Sequence, residues 1–151
     1  MATWLFKTEP SEYSFADLQR EQRCVWTGVS NPQAVNFLRE VAKGDEVLIY
    51  HTGDEKAVVG LARVLRGGYP DPDQPALDAK GRAKFIVCEL APVRPAAKPV
   101  PLATIKADAR FKDFALLKLS RLSVMPVPPA IDRALRALGG LGWLGGLGGL
   151  V

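Results

Sequence analysis

VWTGVSNPQAVNFLRE, residues 25–40, sets a tryptophan and a glycine directly ahead of a strongly marked helix start. Asn31 is among the best N-cap residues, because its side-chain oxygen accepts from the free N–H groups of the first turn. Pro32 suits the first helical position. Ala34, Phe37, Leu38 and Val41 then recur at three- and four-residue spacing, which gives the helix one apolar face. Thr27, Ser30, Asn31, Gln33 and Asn36 lie off that stripe or ahead of it. An aromatic ring beside a helix start rich in amide donors is chemistry suited to a flat polar ligand, with Trp26 as the expected stacking surface.

Outward from this stretch, short strands alternate with short helices. Residues 3–7 (TWLFK) are rich in β-formers and predict an opening strand. Ser14 is set to cap a helix over residues 14–21, with Asp17 placed to complete a capping box. Residues 23–26 predict a short strand. The Asn31-capped helix is expected to end near Ala42, ahead of the Lys43-Gly44-Asp45 turn. Residues 46–52 and 56–66 predict an antiparallel pair turning at Gly53-Asp54, with Gly60 as a bulge or point of close approach. Residues 67–81, rich in proline, aspartate and glycine, predict a loop, and residues 82–90 a further strand. The proline-rich residues 91–101 predict an extended connection along a sheet edge, where missing N–H donors do least harm. Short helices over 102–107 and 111–119, a last strand over 122–127 and a proline-started helix complete the series.

This pattern predicts one α+β domain over residues 1–138, built on a small, mostly antiparallel β-barrel with peripheral helices. Residues 139–151, rich in glycine and leucine, are expected to form a tail without fixed structure or draped on the surface through Leu and Trp143.

Bulk properties narrow the function classes. The chain has 151 residues, a net charge of +4 and a pI near 9.2, which is compatible with a polyanionic partner. Two cysteines 64 positions apart and one histidine cannot supply a structural zinc site. No segment approaches the ~20 apolar residues of a membrane helix, and the first residues lack a signal-peptide pattern. A soluble, cytoplasmic, monomeric protein with reduced thiols is the expectation.

The chemistry-bearing residues show no catalytic constellation. His51, at the end of a predicted strand, is either a strand-end histidine with satisfied hydrogen bonds or a pocket histidine that meets a ligand. Asp71-Pro-Asp73 is a weak metal candidate in a loop. Phosphate-loop, dinucleotide and HExxH motifs are absent, so no cofactor is expected. Basic side chains are dispersed, and several could line a shallow phosphate track.

Taken together, WLFKTEPSEYSFADL (4–18), WTGVSNPQAVNFLR (26–39), GDEVLIYHT (44–52), VVGLARVLRGGYPDP (58–72) and LSVMPV (122–127) resemble the EVE domain, the family of thymocyte nuclear protein 1 and its bacterial relatives. The resemblance implies a PUA-like fold related to YTH and ASCH domains. It also implies a pocket for a modified nucleobase in DNA or RNA, such as methylated or hydroxymethylated cytosine. The implied pocket positions are Trp26, Asn31 and Gln33, with His51 and Thr52 from the strand end and Lys7, Thr8 and Pro10 on the rim. Ser30 stands where relatives carry a basic residue, and Pro32 where they carry an aromatic one. The expected function is therefore a non-catalytic nucleic-acid-binding module. The alternative is an ASCH-like nuclease or hydrolase using His51 with Lys7 or a carboxylate.

Overall fold

The computed structural model describes residues 1–142. Its strands are β1 (Thr3–Thr8), β2 (Cys24–Trp26), β3 (Glu46–His51), β4 (Ala57–Pro70), β5 (Ile86–Pro101) and β6 (Val124–Pro126). Its helices are α1 (Phe15–Glu21), α2 (Pro32–Glu40), α3 (Leu102–Ala107), α4 (Ala115–Lys118) and α5 (Pro129–Gly139). The strands form a single mixed sheet in the order β2-β5-β4-β3-β1-β6. β1 pairs parallel to β3, and the other neighbours are antiparallel. The fold is α+β as the sequence predicts; the sheet ends in two edge strands, β2 and β6, and is not closed into a barrel.

Local signals place most elements. Ser14 and Asp17 close the capping box on α1, and Asn31 Oδ1 accepts from the backbone N–H of Gln33 and Ala34 at 2.9 and 3.0 Å. α2 stops at Glu40, short of Ala42, with Val41 already extended. Here Asp45 Oδ2 accepts from Ala42 N at 2.9 Å and from Trp4 Nε1 at 2.9 Å, pulling the chain out of the helix and onto β1.

The expected loop at residues 67–81 begins later than predicted, because β4 continues through Gly67 and Gly68 to Pro70. These glycines are sites of close approach: a Cβ on Gly68 would fall 2.0 Å from the Leu38 carbonyl oxygen, and one on Gly67 2.5 Å from that of Val41. Gly60 does mark a register shift, and a Cβ there would meet the Phe15 ring at 2.6 Å. The strand predicted over 82–90 starts at Ile86 and runs on through the proline-rich segment to Pro101. Since β2 covers only residues 88–90 of β5, the prolines occupy its open edge. In place of the helix predicted over 111–119 stand a 3-10 turn, Ala109–Phe111, and α4.

The core wraps both faces of the sheet: β3 is buried along its whole length, Leu48 shares a face with Leu5 and Leu61, Phe6 lies on the other, and all join one cluster with Leu38, Leu90, Phe111 and Phe114. α5 is fixed to it by a buried polar cluster. Arg136 meets Asp132 at 2.7 Å and Glu46 at 2.9 Å, and Thr3 Oγ1 donates to Asp132 Oδ2 at 2.9 Å. α5 ends at Gly139, Gly140 caps it in the left-handed conformation, and Leu141 is buried. Trp143 and the rest of the expected tail lie outside the described residues. Both cysteines are free thiols, Cys88 buried and Cys24 half-buried. No helix among the described residues is long and apolar enough to cross a membrane.

Candidate functional site

The C-terminal end of β1, which delivers Lys7 and Thr8, opens beside the edge strand β2, which delivers Trp26. Thr8 Oγ1 donates to the Tyr13 carbonyl at 2.6 Å, folding the loop after β1 back against the strand. That fold brings the Tyr13 ring edge-on to Trp26, with centroids 6.0 Å apart and planes at 88°. Phe6 packs against the same indole at 5.6 Å. Trp26, the expected stacking surface, is thus only 7% exposed and forms the floor of the opening. After it, Gly28 adopts φ +82°, a conformation that favours glycine, and the chain turns around the rim.

These groups enclose a cavity of about 510 Å³, within the ~300–1,000 Å³ range of small-molecule sites. β1 contributes Lys7 and Thr8; the following loop adds Glu9, Glu12 and Tyr13; residues 24–29 and Ser123 complete the wall. Burial lowers the pKa of the Lys7 ammonium, which donates from Nζ to the Ser120 carbonyl at 2.9 Å. Burial, with bonds to Cys24 and Glu21, pushes the Tyr13 phenol up, so it stays neutral and donates a hydrogen bond to Glu21 Oε1 at 2.8 Å. Burial likewise raises the Cys24 thiol.

Of the residues expected from sequence, the structure gathers Lys7, Thr8 and Trp26 into this cavity and leaves Pro10, Ser30, Asn31, Gln33, His51 and Thr52 off its wall. Ser30, Asn31 and Gln33 are exposed, and the Asn31 side chain is used by the helix cap. Both ring nitrogens of His51 are engaged. Nε2 accepts from Phe15 N at 3.0 Å, which puts the proton on Nδ1, 2.7 Å from Glu55 Oε1. Thr52 backs the wall from behind, its N–H donating to the Thr8 carbonyl at 2.9 Å. Glu9, Tyr13 and Ser123 are among the lining residues that sequence reasoning missed. The available signal for the first two was their position in the loop just past the end of a predicted strand, since loops on a rigid scaffold often carry binding residues. Ser123 gave no such signal. No group of three or more His, Cys, Asp or Glu able to hold a metal occurs among the described residues.

The EVE domain pattern matches residues 2–138, and the chain belongs to the EVE domain family. Thymocyte nuclear protein 1 of Gallus gallus is 32% identical over 123 residues, covering 68% of this chain and 51% of that protein. The chain thus spans about half the length of the curated relatives it matches. A Rhodopseudomonas palustris protein solved by NMR superposes with a TM-score of 0.83 at 36% identity, covering 99% of this chain and 100% of that one. Human thymocyte nuclear protein 1, in complex with DNA containing 5-methylcytosine, superposes with a TM-score of 0.83 at 27% identity, covering 92% of this chain and 98% of that one.

Proposed function

We propose that this chain is a non-catalytic DNA-binding module that holds a modified base, of the 5-methylcytosine kind, in the cavity floored by Trp26. The observation that carries the reading is that cavity: an aromatic floor, a half-buried ammonium and turned backbone at Gly28, set in the fold shared with a relative solved on 5-methylcytosine DNA. A base can reach such a site only by leaving the duplex stack, and it is then read by edge contacts and by packing against the ring. The dispersed basic side chains and net charge of +4 supply phosphate contacts outside the cavity. One chain furnishes the whole cavity, which supports action as a monomer. The register shifts along β4 and β5 support reading the sheet as the opened form of a PUA-like barrel. No observation favours an ASCH-like nuclease or hydrolase, whose general base would have to come from a histidine already engaged at both nitrogens.

Fluorescence anisotropy with matched duplexes tests the reading. A 5-methylcytosine duplex is expected to bind roughly tenfold more tightly than its unmodified twin, the order that one methyl group supplies in a fitted pocket. Trp26→Phe, which keeps an aromatic ring between Phe6 and Tyr13, is expected to reduce that preference. Equal, weak binding to both duplexes that Trp26→Phe leaves unmoved would sink the reading. Titration against salt counts the phosphate contacts separately.

A further inference from the structure

The cavity wall carries charge that a phosphate groove would not. Glu9 and Glu12 line it against a single ammonium, Lys7, which is already bonded to Ser120. A phosphate entering here would meet two acidic side chains, so the occupant is better sought among neutral groups that donate hydrogen bonds.

Glu9 is the fixed member of the acidic pair. Its Oε1 accepts from Ser11 N at 3.2 Å and from Ser11 Oγ at 3.1 Å, and its Oε2 lies 3.4 Å from Thr52 Oγ1. Gly53 leaves room for the carboxylate, since a Cβ there would stand 2.7 Å from Oε2. A carboxylate oxygen offers two acceptor sites. Glu9 lines the cavity, and its Oε2, with one long contact among the described residues, keeps accepting capacity. Glu12, by contrast, is exposed on the rim.

Resting on the reading of the cavity as a base pocket, we propose that Glu9 is its specificity-determining group. It accepts a hydrogen bond from an exocyclic amine of the extruded base, so that the site selects amino-bearing bases such as cytosine derivatives over oxo bases. Carboxylates pair with the cytosine N4 amine for the same reason in direct base readout. An oxo base would instead place its carbonyl oxygen against the carboxylate, leaving two acceptors face to face with no proton between them.

5-Methylcytosine and thymine isolate this contact, because they share the ring, the 2-oxo group and the 5-methyl group and differ at the amine or oxo edge. The full chain is titrated by fluorescence anisotropy with two duplexes that carry one or the other base opposite an abasic site, so that pairing strength does not bias extrusion. An identical duplex with a second abasic position in place of the base gives the background. The expected result is at least about tenfold tighter binding of 5-methylcytosine than of thymine. In Glu9→Gln, whose carboxamide donates as well as accepts, the ratio should fall toward one. Equal affinity of the native chain for the two bases, with both bound above background, overturns the role of Glu9 and leaves the base-pocket reading standing. A ratio unchanged in a folded Glu9→Gln overturns it likewise. Binding of neither base above background removes the base-pocket reading, and this inference with it.

Discussion

At the residue scale, neighbours decide what a side chain does. His51 is open to two readings in the sequence, and the backbone N–H of Phe15 settles its place: the imidazole satisfies the first turn of α1 and turns its other nitrogen to Glu55. The two thiols separate in the same way. Burial pushes Cys88 up to about 12, and it also raises Cys24, which nevertheless lies on the cavity wall. Since the thiolate is the reactive form, the native protein at about pH 8 should alkylate slowly at Cys24 and not measurably at Cys88 until it unfolds. A bound 5-methylcytosine duplex should slow Cys24 further. Peptide mass mapping over a time course checks both expectations, and early modification of Cys88 would contradict the packing described.

At the element scale, the long strand β4 is governed by glycines whose meaning is set by what passes over them. Gly60 faces the Phe15 ring, a side chain that can shift, whereas Gly68 faces the backbone carbonyl of Leu38, which cannot without distorting α2. Gly60→Ala should therefore cost about 1–3 kcal/mol, the usual range for overpacking, and Gly68→Ala should cost more than Gly60→Ala. Urea unfolding of the two variants gives the comparison, and equal costs would mean that α2 yields easily. The stretch containing Gly67 and Gly68 looks like a loop in sequence because glycine is read there as a breaker, although its role is to let a helix lie against a strand. Capping, by contrast, is legible: Ser14, Asp17 and Asn31 act through bonds to residues two or three positions away.

At the scale of the whole molecule, α5 is held to the sheet by Arg136 between Asp132 and Glu46, all three nearly inaccessible to solvent. Among the described residues, removing the cation leaves Glu46 with only the longer 3.9 Å contact to Arg63 and Asp132 with only the Thr3 hydroxyl, so Arg136→Ala should lower stability by about 3–5 kcal/mol, read from the urea midpoint. A loss below about 1 kcal/mol would show that water or another cation replaces it. The sequence by itself determined the α+β class, the approximate position of most strands and helices, and the caps, because these rest on local periodicity and short-range bonds. It also carried the family resemblance, which lies in the order of motifs along the chain. Only the tertiary structure decided that Trp26 is a floor, that His51 is spent on α1, that Glu9 and Tyr13 share a wall with residues from β2, and that Arg136 is buried between carboxylates. Each of those outcomes joins groups far apart in the chain, and the parallel pairing of β1 with β3 and the placement of β2 on the outer edge of β5 fix which groups meet.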